Sequence, residues 1–130
     1  MQNTKRVIVV ISDGLDRGSK ATFEQTLAEL QQENIMVYAV QAVDRTRGAI
    51  RRDVPKPKVV IDKLAEGTGG QIFSIEEPSV AAKAICDELR QNRYVLSYVP
   101  SSAPFGQARS LLVVANEGIT VRSKSMQQPN

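Results

Sequence analysis

The residues of this sequence best suited to chemistry follow a run of five β-branched residues near its start. Val7 to Ile11 are all valine or isoleucine, and the turn-forming Ser12-Asp13-Gly14 comes directly after them. Such a run predicts a strand buried on both faces. Carboxylate oxygens bind Mg²⁺, which needs about six oxygen ligands and usually keeps several waters. Asp13 alone cannot build that site, and the structural alternative is a turn in which Asp13 caps neighbouring backbone amides.

Two further segments invite a binding interpretation. The glycines around Gly67 to Gly70 precede a predicted strand, whereas phosphate-binding loops follow a strand and open a helix, so we interpret them as a turn. The segment 44–58 contains six basic residues and two prolines without helical or strand periodicity, which predicts a long surface loop. The loop lacks aromatic residues for base stacking, and aspartates dilute its charge. Contact with an anion remains an alternative there, through Arg45, Arg47, Arg51 and Arg52.

Composition argues against an enzyme. The sequence has no histidine, which excludes histidine-dependent catalysis and histidine metal sites. Its serines lack a partnered base, and the single cysteine, Cys86, is expected to be a buried, inert thiol within a helix. The net charge of +3 is too small an excess to indicate a nucleic-acid partner.

Strands and helices alternate in the first two thirds of the chain. Strands are predicted at Arg6 to Ile11, Ile35 to Ala42 and Gln71 to Ile75. A capping-box spacing at Thr22-Phe23-Glu24-Gln25 opens a helix that runs to about Glu33, before Asn34. A short helix ends at Gly67, and Pro78 opens a third that runs to about Asn92. Alternation of this kind predicts parallel strands with helical crossovers.

The last third changes character. Strands are predicted at Tyr94 to Val99, Ser110 to Ala115 and Ile119 to Arg122, with a tight turn at Asn116-Glu117-Gly118. We therefore divide the chain into an α/β part (1–92), a β-hairpin extension of the same domain (93–123) and a polar tail (124–130) that is expected to fray.

Three segments resemble the bacterial VWFA-related family of von Willebrand factor A-type (vWA) domains: VIVVISDGLDRGS, LAEGTGGQIF and ELRQNRYVLSYVPS. The resemblance implies a partial doubly wound, Rossmann-like vWA fold, with three parallel strands, helical crossovers and C-terminal antiparallel strands. In that fold a metal-ion-dependent adhesion site lies at the carboxyl ends of the central strands, where open α/β sheets generally bind ligands. Asp13 then matches the late metal-site carboxylate, flanked by Ser12 and Gly14, and the resemblance allows Asp16 to accept a hydrogen bond from a group bound to the ion.

The family's main metal motif, DxSxS, is absent from this sequence. The resemblance therefore covers the carboxyl-terminal part of the domain, and we expect a divalent cation (Mg²⁺ or Mn²⁺) only in the complete domain and none in this chain alone. The implied function is a non-catalytic, adhesion-type interaction module. Its expected partner is a protein, either the missing amino-terminal half of the domain or a second copy paired through the exposed edge of Val7 to Ile11.

A nucleotide- or anion-binding α/β module is the alternative function, and a structural fragment without a ligand is a third. The start of the sequence does not resemble a signal peptide, and no segment is expected to span a membrane. The sequence does not determine the compartment.

Overall fold

A three-stranded parallel sheet with three helices forms the centre of the protein, whose structure is a computed structural model that describes residues 6–14, 18–41, 57–100 and 106–129. The strands pair in the order β1-β2-β3, and both pairings are parallel. This arrangement confirms the predicted α/β class, partial Rossmann-like character and sequential strand order. In chain order the elements are β1 (Arg6–Ser12), α1 (Phe23–Gln32), β2 (Ile35–Gln41), α2 (Pro57–Thr68), β3 (Ile72–Ser74) and α3 (Pro78–Gln91).

The central strand β2 carries most of the core. Residues Val37 to Val40 are buried, because β2 has a strand on each side and helices packed against it. Ala39 joins Ile61 and Ala65 of α2 in one buried cluster, and Ile72 of β3 packs against it. The small side chains at Ala39 and Ala65 let helix and sheet approach closely, as close-packed interiors require.

Helix α1 begins as its sequence predicts. Thr22 is the N-cap, its hydroxyl accepts a hydrogen bond from the Gln25 backbone amide at 3.2 Å, and the Gln25 side chain accepts from the Thr22 amide at 3.0 Å. Both halves of the capping box are thus present. Asn34 follows the helix with φ 53°, a left-handed conformation that asparagine tolerates better than most residues.

Replacing Thr22 with alanine is expected to destabilise the protein by about 1 kcal/mol, because the Gln25 amide loses its side-chain acceptor. Urea unfolding followed by circular dichroism measures the effect. Lys20→Ala, at an exposed position outside the helix, is the control and should stay within about 0.5 kcal/mol of wild type. Equal stability of the Thr22 and Lys20 variants would show that the cap contributes nothing.

The helices differ from expectation at two points. Helix α2 begins at Pro57, before the predicted end of the basic loop, because proline suits the first turn of a helix. Cys86 in α3 is exposed, not buried as predicted. The buried stripe of α3 runs through Ala81 and Ile85, and the next residue in a helix is rotated by about 100°, which turns Cys86 away from the sheet.

The last third departs most from the prediction. Its described strands are β4 (Arg109–Ser110) and β5 (Met126–Gln127), an antiparallel pair of two residues each. Residues 94–99, 111–115 and 119–122 do not form strands. The predicted turn is present, and the Ile119 amide donates to the Asn116 carbonyl at 3.2 Å. Strand propensity depends on packing against neighbours, and many apolar side chains here are exposed, among them Tyr94, Val99, Leu112 and Val114.

The tail 124–129 is polar as predicted, but it is docked against α1 and the end of α2 instead of frayed. The Ser125 amide donates to the Gly67 carbonyl at 3.0 Å, and the Gln128 side chain donates to Gln31 Oε1 at 2.9 Å. Lys124 Nζ donates to Asn34 Oδ1 at 2.6 Å. These hydrogen bonds satisfy polar groups at two helix ends, which explains why a polar segment is ordered. Among the described helices none is long and apolar enough to cross a membrane.

Candidate binding edge at the carboxyl ends of the strands

The last residues of the three parallel strands form a polar row. Ser12 of β1 is in register with Gln41 of β2, and Gln41 is in register with Ser74 of β3. Neighbouring strands lie about 4.8 Å apart, so the row spans roughly 10 Å at the end of the sheet where α/β folds bind ligands. The sequence predicted only the Ser12 end of this row, because register between distant strands cannot be read from one chain segment.

A hydrogen bond to the Ser12 side chain closes the Ser12-Asp13-Gly14 turn at the end of β1. The Gly14 amide donates to the Ser12 hydroxyl at 3.0 Å, and Gly14 has φ 80°, which a residue with a side chain rarely adopts. Asp13 between them is exposed, and it directly follows the last residue of β1. The turn therefore holds Asp13 at the same end of the sheet as Gln41 and Ser74.

A second carboxylate approaches this edge from α2. Asp62 Oδ1 accepts a hydrogen bond of 2.7 Å from the Gln41 side chain, and the Gln41 carbonyl accepts from the Ile75 amide at 3.1 Å. Sequence reasoning missed both Gln41 and Asp62. The available signal was their polarity, since Gln41 follows the apolar residues of a strand and Asp62 follows three apolar residues of a helix.

The part of the chain that the structure describes contains no group of three or more acidic, cysteine or histidine side chains placed to hold a metal ion. At the Ser12 end of the row, the described side chains offer two kinds of oxygen ligand, the Asp13 carboxylate and the Ser12 hydroxyl. That hydroxyl already accepts a hydrogen bond from the Gly14 amide. A magnesium ion needs about six oxygens, so these residues do not fit a divalent cation without ligands from elsewhere. Asp16 and the four arginines of the basic loop lie outside the described residues.

Strand β1 forms one edge of the sheet. Its partner among the described strands is β2, and its other side meets no described strand. The prediction that this strand is buried on both faces is wrong, because β1 pairs with one described strand only: Ile8 is 42% exposed, Val9 46% and Ile11 68%. Because Ile8 lies on one face of the strand and the other two lie on the opposite face, the edge is apolar on both faces. An apolar edge of this length is a surface that recruits another strand.

The opposite end of the sheet carries a depression of about 1770 Å³. Its walls include Arg6, Met36, the end of α3 and residues 119–124. It exceeds the roughly 300–1,000 Å³ of small-molecule pockets, so it is not a shaped ligand cavity. Lys124 lines it, and burial lowers the pKa of that ammonium group below its ordinary value.

Tyr38 lies in the middle of β2 and is fully buried. Its hydroxyl has no hydrogen bond of ordinary geometry, although the Glu88 carboxylate lies nearby and is itself paired with Arg122. Burial, together with the neighbouring Glu88, raises the pKa of Tyr38 well above the usual value for tyrosine. The phenol is thus a buried neutral group of the core and not an acid of the candidate edge.

Replacing Tyr38 with phenylalanine is expected to change the alkaline stability of the protein. The raised folded-state pKa means that the unfolded chain ionises this tyrosine first, so stability is fully present below pH 10 and falls as the pH rises beyond it. The variant should lose less stability than wild type between pH 8 and pH 10.5 in urea unfolding. At pH 8 the two should differ by less than about 1 kcal/mol, since the removed hydroxyl makes no hydrogen bond. Equal losses of stability in wild type and variant over this pH range would contradict the raised pKa of Tyr38.

No protein-family model matches the chain, and no curated protein matches it. Among solved structures, the chain is similar to the crystal structure of an uncharacterized membrane spanning protein from Vibrio fischeri, with 22% sequence identity and a TM-score of 0.49. That similarity covers 67% of this chain and 48% of the other, so the chain spans about half of that protein's length. At this identity and score it carries no functional conclusion.

Proposed function

We propose that this chain is the carboxyl-terminal part of a vWA-type domain and serves as a non-catalytic protein-interaction module. One observation carries the proposal: the Ser12-Asp13-Gly14 turn ends an apolar edge strand at the carboxyl end of a parallel sheet. The segment resemblance to the VWFA-related family supports it, because that family places a carboxylate of its adhesion site at the corresponding turn.

The chemistry of the edge supports binding over catalysis. The absence of histidine removes the commonest general base, and Ser12 Oγ is engaged with the Gly14 amide. Asp13 is an exposed carboxylate at the end of an open strand. A partner strand on β1 would extend the sheet, and its own carboxyl or amino end would then lie beside Asp13. The proposed function therefore combines strand addition on β1 with polar contacts at the end of the sheet.

In the complete domain we propose that Asp13 acts as one oxygen ligand of a divalent cation, through a bound water, with Asp16 as a neighbouring acceptor. The ion would supply the positive charge that attracts an acidic group of the partner. The described residues do not provide the remaining ligands, and we propose that polypeptide outside this chain supplies them.

Titration with Mg²⁺ and Mn²⁺ tests the incomplete-site part of the proposal. Isothermal calorimetry of the chain should detect no tight binding of either ion, and Asp13→Ala should leave the titration unchanged. Asp62→Ala is the matched control, since it removes a carboxylate from the same end of the sheet. Sub-micromolar affinity that disappears in Asp13→Ala would contradict the proposal, because it would mean that this chain completes the site alone.

A further inference from the structure

We propose that residues 94–99, here called the strap, fold onto β1 as a fourth parallel strand and close its edge until a partner strand displaces them. The structure shows the open arrangement, in which the strap forms no strand and all six of its residues are exposed. The proposal rests on the proposed function, because the strap acts at the same edge. It adds an internal competitor for that edge, and therefore a way to regulate binding.

Helix α3 lies on the opposite face of the sheet from α1 and α2, which contact each other. In β2, Ala39 packs against α2, and the Gln41 side chain donates to Asp62 of α2, so these alternate residues face α1 and α2. Tyr38 points to the other face, where the Glu88 carboxylate of α3 lies beside its hydroxyl. The chain therefore changes faces between α2 and α3.

The handedness of crossovers selects the β1 edge for the next strand. A parallel strand-helix-strand connection is right-handed in nearly all proteins. The crossovers through α1 and α2 carry the chain from β1 to β2 and then to β3. A crossover through α3, on the opposite face, keeps the same hand only if it runs in the opposite direction, past β2 to the side of β1 that meets no described strand. Pairing with β3 would need a left-handed crossover, and β3 offers only three residues.

The strap begins close to the amino ends of β1 and β2. Helix α3 contacts both β3 and β2, so it crosses the sheet in the direction of β1. Two residues separate its last residue, Gln91, from the strap, and helix-to-strand connections of about two to six residues are usual. Arg6, Met36 and Leu96 all line the depression at the amino end of the sheet. The strap therefore starts where a parallel neighbour of β1 has to start.

The strap matches β1 in length and composition. Its sequence, YVLSYV, consists of aromatic, β-branched and leucine residues with one serine, and side chains of these types favour strands. Pro100 has no amide hydrogen for a sheet ladder, so the strap ends at Val99, and β1 ends at Ser12. Aligning these two ends in a parallel pair sets Leu96 beside Val9.

This register covers the most exposed part of the edge. Leu96 lies beside Val9 and Tyr98 lies beside Ile11, and those two residues of β1 are its most exposed apolar residues. They lie on the face of the sheet that carries α3. Closing the strap removes this apolar surface from water and gives the outer backbone groups of β1 partners. The residue after the strap then lies beside Asp13, so the closed strap covers both parts of the proposed binding edge.

Disulfide cross-linking tests the closed arrangement. In a Cys86→Ser background, Val9→Cys combined with Leu96→Cys should form a disulfide within one chain, because adjacent strands lie about 4.8 Å apart, within disulfide range. Val9→Cys with Ser97→Cys is the matched control, since neighbouring residues of a strand point to opposite faces. Mass spectrometry of dilute, mildly oxidised protein should find at least about tenfold more linkage in the first pair. Equal yields, or no linkage in either pair, would overturn the proposal.

A synthetic peptide with the sequence of residues 93–100 tests the competition. Leu96→Lys places a charge on the apolar face of the strap and should open it, so fluorescence anisotropy should show at least about tenfold tighter binding of the peptide than to wild type. Val114→Lys changes an exposed apolar residue outside the strap and should bind the peptide as wild type does. Equal affinities of wild type and Leu96→Lys, or no binding to either, would overturn the strap. The proposed function fails separately, if a metal-dependent partner strand does not bind Leu96→Lys, in which the edge is open.

Discussion

Gly70→Ala should be the most damaging single-methyl substitution in this protein. A Cβ on Gly70 would lie 1.8 Å from the Val37 carbonyl oxygen and 2.7 Å from its carbon. The obstacle is backbone of the central strand, which cannot rotate away as a side chain can. Gly70 is buried, and its amide donates to the Ala65 carbonyl at 2.8 Å, so moving Gly70 also breaks the end of α2. We expect a loss of about 3 kcal/mol or more in the free energy of unfolding.

Gly67→Ala is the matched control for that variant. Gly67 is also buried, but the three atoms nearest to a Cβ there all belong to the flexible side chain of Leu27, with the nearest methyl group at 2.9 Å. Leu27 can shift by rotation, and alanine favours the helix over glycine by about 1 kcal/mol. Urea unfolding should therefore place the Gly67 variant within about 1 kcal/mol of wild type. Similar losses in the two variants would show that the backbone at Gly70, just after α2, does not pass this close to β2.

Gln31→Met is expected to destabilise the protein by about 2–3 kcal/mol and to release the carboxyl-terminal segment. Gln31 is 2% exposed, and its side chain donates to the Gly67 carbonyl at 2.8 Å and to Ser125 Oγ at 3.2 Å. It also accepts from the Gln128 side chain at 2.9 Å. Methionine has a similar volume but makes none of these bonds. The Gly67 carbonyl, which keeps the Ser125 amide as a donor, and the side chains of Ser125 and Gln128 would each lose one hydrogen-bond partner.

Hydrogen exchange distinguishes this effect from general destabilisation. The Ser125 amide, which donates to Gly67, should exchange much faster in Gln31→Met, while amides of β2 should change only as global stability does. Gln32→Met changes the adjacent, exposed glutamine and should leave both exchange and stability as in wild type. Unchanged protection of Ser125 in Gln31→Met would mean that other contacts hold the tail.

Local signals in the sequence predicted the α/β part well. The β-branched run before Ser12 and the capping box at Thr22 act within a few residues, so they depend little on the rest of the chain. The order of the parallel strands was also predicted correctly, because an alternation of strand, helix and strand is compatible with few topologies.

The predictions that were wrong, and the contacts that were missed, depend on residues that are far apart in the sequence. Residues 94–99 have strand-forming side chains, but pairing requires an edge to pair with, and none is met among the described residues. Cys86 was expected to be buried because its residue type usually is, whereas the helix face that packs is set by Ala81 and Ile85. The contact between Gln41 and Asp62 joins a strand and a later helix, which no short segment of the sequence reveals.

The proposed function requires that β1 and Asp13 together bind a strand whose end completes a metal site. The affinity of the chain for a peptide with an apolar strand followed by Asp-x-Ser-x-Ser tests this requirement directly. Fluorescence anisotropy should show binding that Mn²⁺ strengthens at least about tenfold, or about 1.4 kcal/mol. Asp13→Ala should abolish the Mn²⁺ effect while leaving metal-free binding intact, and Val9→Lys should weaken both. The proposed function would be contradicted if the peptide did not bind, or if neither Mn²⁺ nor Asp13→Ala changed its affinity.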